Sequence, residues 1–243
     1  MNELTTKAIV IRKTDYREND KLLSLFSLEK GKITALLKGC NKPNAKLKFA
    51  GQLFCFADFN LVQKGDFSTV TNANEIESFF EITSDFSKLQ AGATVLEICD
   101  VVLNNSEPST ALFVQVLKAL KVLCYENSNA NSVLIKFLLD TFKISGYQLE
   151  MNKCQNCKGD FNTHILLDLD TGNFVCGLCK TNACVEVNFN QFTILKMIDA
   201  TDYSRLASIK VKESVLTDIL TLLNFNFSQR FQKSLKSLKY LQN

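Results

Sequence analysis

The stretch KAIVIRKTDYRENDKLLSLFSLEKGKITALLK, residues 7–38, decides how the chain begins to fold. Its apolar residues are largely β-branched or alternate with polar ones, the two-residue period of a strand that buries one face. Lys30 Gly31 turns the chain between KLLSLFSLE (21–29) and KITALLK (32–38), and LTTKAIVIRK (4–13) supplies a strand before them. Downstream, QLFCFADFNLV (52–62) precedes a QKGD turn (63–66) and FSTVTNANEIESF (67–79) follows it. These are five short strands with hairpin turns, which suit a small closed barrel. The OB-fold is the common basic barrel of that size, with an SH3-like barrel as second choice.

Beyond Phe80 the period changes. Val95, Cys99 and Val102, then Leu112, Val116, Leu120 and Leu123, then Leu134, Leu138 and Phe142 recur at helical spacing. Pro108 and Ser109 separate the first two helices, and Ser145 Gly146 stops the third. Helical spacing resumes at Phe192–Ile198 and Val215–Leu223. In SQRFQKSLKSLKYLQN (228–243), Phe231, Leu235, Leu238 and Leu241 share one side, with Arg230, Lys233, Lys236 and Lys239 around the other. That reads as a packed amphipathic helix whose basic face is either solvated or a second binding surface. The predicted architecture is multidomain α+β: an OB-fold barrel over residues 1–80, then an all-α domain over 81–243 carrying a cysteine-rich insert at about 151–183.

With 243 residues, 46% of them apolar and nineteen Phe, the chain can bury a large core. The first residues, MNELTTKAIV, lack the basic-then-apolar pattern of a signal peptide. No run approaches the roughly eighteen apolar residues of a membrane span. A cytoplasmic protein without membrane contact is therefore expected, and its nine cysteines point to reduced thiols and a metal rather than disulfides. The formal charge of +3 is uninformative, but its distribution is not. Residues 1–80 hold twelve Lys/Arg against nine Asp/Glu, 81–182 eight against eleven, and 183–243 eight against five. Lys30, Lys32, Lys38, Lys42, Lys46 and Lys48 fall within nineteen residues that contain no acid. Such a run is either a solvated lysine face or a field that holds a polyanion.

CQNCKGDFNTHILLDLDTGNFVCGLC (154–179) contains two CxxC pairs eighteen residues apart. Each pair bends into a tight turn that aims two sulfurs at one point, and the spacer forms a hairpin joining them, turned at Thr171 Gly172 Asn173. Cys154, Cys157, Cys176 and Cys179 are the predicted ligands of a zinc ribbon. Four thiolates close the tetrahedron, so this zinc is structural rather than catalytic. His164, the only histidine, reads as a hairpin residue, and Cys184 as a small hydrophobe in preference to a spare ligand. Asp168 and Asp170 read as exposed hairpin positions. The phosphate-loop, dinucleotide, nucleophile-elbow and HExxH motifs are all missing, and the HxE element of zinc deaminases is absent, so no enzyme is expected.

KAIVIRKTDYRENDKLLSLFSLEKGKITALLKGCNKP (7–43) resembles the start of the bacterial recombination mediator RecO family. The resemblance rests on DYREND (15–20), EKGKI (29–33) and the Lys-Gly that follows, and continues through GYQLEMNKCQNC (146–157) and FVCGLC (174–179). The segment CNKPNAK (40–46) departs from the family by carrying fewer basic pairs. The resemblance implies a nucleoid-associated DNA repair protein that binds single- and double-stranded DNA, anneals complementary strands, and acts with RecR and single-strand-binding protein to load RecA. An OB barrel with a lysine-rich hairpin and loop would supply the electrostatic groove. Arg12, Lys13, Arg17, Lys21, Lys32, Lys38, Lys42 and Lys46 are its predicted phosphate contacts. Tyr16 and Phe67 are candidates to stack on bases, with Phe67 read first as a core residue. A zinc-ribbon RNA-binding or transcription accessory factor is the alternative, and a zinc hydrolase or deaminase the enzymatic one.

Overall fold

The computed structural model describes residues 2–64, 67–104, 107–161 and 164–242, the side chains of 2 and 240–242 excepted. Gly65 and Asp66 of the expected QKGD turn, and the side chain of Leu241, lie outside these. The chain packs as two compact units, Met1–Tyr125 and Glu126–Asn243.

Five strands open the first unit: β1 (Asn2–Tyr16), β2 (Asp20–Ser27), β3 (Gly31–Leu37), β4 (Phe56–Lys64) and β5 (Phe67–Glu77). They close in the order β1-β2-β3-β5-β4, with β4 returning to β1. The β3–β5 pair is parallel and the others antiparallel, which is the OB arrangement and not the SH3-like one. Alternation along each strand sends Ala8, Val10, Leu23, Leu25, Ala35, Leu37, Phe59, Leu61 and Val70 inward to a buried core. The β2–β3 turn needs Gly31, whose φ is +64° and where a Cβ would overlap the Glu107 carbonyl.

Two helices, α1 (Phe86–Val102) and α2 (Thr110–Tyr125), complete this unit. Asp85 caps α1 by accepting from the Lys88 amide, and the ring of Phe113 on α2 packs edge-on to Phe26 at 5.1 Å and Phe56 at 5.9 Å. α1 and α2 pack together with the barrel, so the compact unit that contains it runs on through Tyr125.

The second unit holds α3 (Ala130–Ile144), the cysteine insert, α4 (Phe189–Ala200) and α5 (Glu213–Phe231). The insert forms a sheet of β6 (Ile165–Asp168), β7 (Asn173–Cys176) and β8 (Cys184–Val187), ordered β7-β6-β8. The third strand extends the insert past the expected end at 183. Residues 228–243 are not one helix: α5 ends at Phe231, Gln232 turns left-handed at φ 52°, and a 3-10 segment covers Lys236–Gln242. Phe142 of α3 meets Phe227 and Phe231 of α5, both at 6.4 Å between ring centres.

Candidate metal centre and nucleic-acid interface

The two CxxC turns bring four sulfurs together. Cys154, Cys157, Cys176 and Cys179 hold their Sγ atoms within 4.8 Å of one another, and Cys157 and Cys176 lie 3.7 Å apart. Cys154 and Cys176 are buried, Cys179 is half-buried and Cys157 is exposed. The first turn is closed by the Lys158 amide donating to the Cys154 carbonyl, with Lys158 at φ 60°. Burial works against ionisation of Cys154, but amides of Cys157, Cys176 and Asn156 and the Cys157 thiol donate to its sulfur and bring it down to about 6. The Cys179 thiol goes the other way, to about 12, because it shares its proton with Cys157 and faces the ionised neighbour. Four soft donors at this spacing can hold one metal ion.

Side chains around the quartet have other work. The Cys184 sulfur accepts from the Thr181 amide at 3.3 Å and packs against the cluster without joining the four. His164 Nδ1 lies 3.0 Å from Glu186 Oε1 on the exposed side of the sheet, the hairpin role expected of it. Asp170 is exposed, but Asp168 is not: it is 4% exposed and accepts from the Asp170 amide and the Thr171 hydroxyl, closing the β6–β7 turn. Gly172, at φ +66°, completes that turn.

That hairpin is gripped by Arg230, which does not lie on a solvated basic face. Its Nη2 donates to the Gly172 carbonyl at 2.8 Å and to Asn173 at 3.3 Å, and its Nε to Asn226. Asn226 donates to the same Gly172 carbonyl at 2.7 Å, and the guanidinium lies 5.1 Å from the Tyr147 ring centre and 5.8 Å from that of Phe142. The sequence showed only an Arg at helical spacing from apolar neighbours. Its carbonyl partner is 58 residues away, beyond the reach of any local signal.

In the barrel, the predicted cations divide. At one end, the Gly39 amide donates to Asp20 at 2.8 Å and the Asn41 amide to the Asn19 carbonyl, so the β1–β2 turn and the segment after β3 lie together. Arg17 comes from the former, with Lys21 following it at the start of β2, and Lys38 and Lys42 come from the latter. Lys38, Lys42 and Lys46 are exposed and form no ion pair among the described residues. Lys13 donates to Gln52 at 2.8 Å, and burial, then the nearby charge of Lys21, lower its pKa, while Asp15 opposes. Asp15 and Glu18, both exposed, offset part of this field. The Arg17 guanidinium lies 5.3 Å from the Tyr16 ring centre.

Lys32 sits at the opposite end. It pairs in register with Phe26, whereas Lys21 pairs with Leu37. Its ammonium forms an ion pair with the Asp100 carboxylate and donates to the Asp100 carbonyl at 2.8 Å, leaving the side chain 19% exposed. Arg12 Nη1 reaches the same carboxylate at 3.7 Å but remains 65% exposed. The charge of Lys32 is thus spent within the fold. Phe67, expected in the core, is 69% exposed, and Tyr16 is 42% exposed.

A family model described as Recombination protein O N terminal matches residues 1–79, and one described as Recombination protein O C terminal matches 83–239. The chain belongs to the RecO family. A protein named DNA repair protein RecO from Desulforamulus reducens is 29% identical over 237 residues, covering 96% of this chain and 92% of the relative. One of the same name from Acetivibrio thermocellus is 27% identical over 244 residues, covering 100% and 97%. Another from Clostridium novyi is 26% identical over 234 residues, covering 96% and 91%. The family is one of DNA repair, and among the described residues no helix is long and apolar enough to cross a membrane.

Proposed function

We propose that this chain is a cytoplasmic, nucleoid-associated recombination mediator that binds single- and double-stranded DNA through phosphates and anneals complementary strands. It acts with RecR on DNA coated with single-strand-binding protein and so helps RecA to load. The observation that carries the reading is the joining of Arg17 and Lys21 with Lys38 and Lys42 by hydrogen bonds between two chain segments at one end of the barrel. Lys13 and Lys46 extend that set and Arg12 flanks it, while Lys32 is already neutralised by Asp100. Annealing needs no covalent step, so the protein is not an enzyme in this reading. Neutralised phosphates and proximity of the two strands suffice.

Zinc is the metal the four cysteines suit best. Bonds of about 2.3 Å to four thiolates put the sulfurs roughly 3.8 Å apart, close to the 3.7 Å between Cys157 and Cys176. When bound, it cross-links the two turns and braces the sheet. It takes no part in annealing.

The test is annealing of two complementary oligonucleotides coated with single-strand-binding protein, comparing the native chain with a variant carrying Lys38→Glu, Lys42→Glu and Lys46→Glu. The native chain is expected to anneal them and the variant to fail. With about six phosphates engaged, log affinity for a single strand should fall against log salt with a slope of roughly −4. Normal annealing by the variant, or a slope near zero, would overturn this placement.

A further inference from the structure

Phe67 opens β5 with its ring 69% exposed. Ser68 and Val70 point into the barrel, so Phe67 and Thr69 point out. On β3, Ala35 and Leu37 point in, and Thr34 and Leu36 out. β3 and β5 pair in parallel at Ala35–Ser68 and Leu36–Thr69, which makes Thr34 and Phe67 the next residues along. Thr34 in turn pairs with Ser24, Ser24 with Arg12, and on the other side Phe67 with Lys64.

One row therefore crosses the outer wall of four neighbouring strands and a fifth: Arg12, Ser24, Thr34, Phe67, Lys64. A cation stands at each end, two short hydroxyl side chains lie in the middle, and one bare aromatic ring rises beside them. Arg12 and Phe67 are three strand spacings apart, about 14 Å at roughly 4.8 Å each. That is the span of two or three nucleotides of an extended single strand, and the short Ser24 and Thr34 let a backbone approach the sheet between them.

The geometry points to this row as a base-stacking subsite: the Phe67 ring stacks on one unpaired base of a DNA single strand whose phosphates meet Arg12 and Lys64. The inference rests on the phosphate-binding reading above and adds to it a cause for strand preference. A base inside a duplex has both faces covered by its neighbours, so a ring can engage only one that is unstacked. Phe67 thus favours single strands, while the cations at the end of the barrel serve either form. Stacking of this kind is tolerant of sequence because every base has a π-face.

The chain has no tryptophan, so Phe67→Trp introduces the only indole. Titrating that variant with oligo(dT) should quench its emission at saturation while leaving affinity near native. Phe67→Ala should weaken single-strand binding about tenfold, leave duplex binding unchanged, and keep the native salt slope, since phosphate contacts persist. Phe86→Trp, whose exposed side chain is on α1 outside the row, is the control and should not be quenched. Equal quenching at both positions, no quenching at Phe67→Trp despite binding, or equal losses for duplex and single strand in Phe67→Ala would each overturn the subsite and leave phosphate binding standing. Absence of any DNA binding by the native chain would overturn both.

Discussion

The cysteine centre and the basic end of the barrel both collect like side chains, and they do so by opposite means. At the centre, two tight turns within twenty-six residues hold four sulfurs inside 4.8 Å, so the free energy of binding a metal there would fall on a single point. At the barrel end, seven cations, most of them exposed, are drawn from 35 residues. On the proposed reading, one site should be all-or-none and the other graded. Thiolates must all be present to close a coordination shell, whereas phosphate contacts add one by one and are screened by salt.

The largest effect expected from that contrast is on the metal centre. Cys154→Ser, or treatment with a chelator, should abolish metal binding at the four cysteines and unfold the β6–β8 sheet. Apparent binding free energies of on the order of 10 kcal/mol in small zinc modules are the scale involved. Metal content together with hydrogen exchange at 165–187 would measure this, and single-strand binding by the barrel should survive; its loss would break the comparison. Next comes the triple lysine-to-glutamate variant, whose DNA affinity at low salt should drop on the order of a hundredfold with a shallower salt slope. Thermal unfolding and metal content should be unchanged.

Arg230→Ala should cost about 3 kcal/mol in the second unit, because it strips charge-assisted hydrogen bonds from Gly172, Asn173 and Asn226 and leaves buried acceptors short of donors. Chemical denaturation would register it, and hydrogen exchange should quicken first at the β6–β7 turn. Lys32→Met sharpens the distinction between the two ends of the barrel. It should destabilise the first unit by about 1–3 kcal/mol by leaving the Asp100 carboxylate poorly paired, yet leave the salt slope for DNA as it is. A slope reduced as much as by Lys38→Glu would return Lys32 to the interface. The smallest effect belongs to Cys184→Ser, which should keep one metal per chain and shift stability by less than about 1 kcal/mol.

Much of this was legible beforehand. The five strands, the helix breaks at Pro108 and Ser145 Gly146, and the cysteine quartet all depend on signals a few residues apart, and each appears where periodicity and turn chemistry put it. Other features escaped. β8 is only four residues long, with no flanking signal to distinguish CVEV from a loop. Gln232 ends α5 in a left-handed turn without the glycine that would have announced it. Asp168 and Asp170 look alike in sequence, but Asp168 is buried because its carboxylate closes a turn while Asp170 points to solvent.

Local sequence was enough to show that a barrel precedes helices, that four cysteines share one point, and that the lysines from Lys30 to Lys48 run without an intervening acid. Those conclusions need only the stereochemistry of neighbouring residues. Tertiary structure alone decided that Lys32 faces Asp100, 68 residues on, that Arg230 grips a carbonyl 58 residues back, and that the Phe67 ring stands in solvent. A side chain's charge or apolar surface is written in its identity, but what neutralises or covers it is set by segments that meet only when the whole unit has folded.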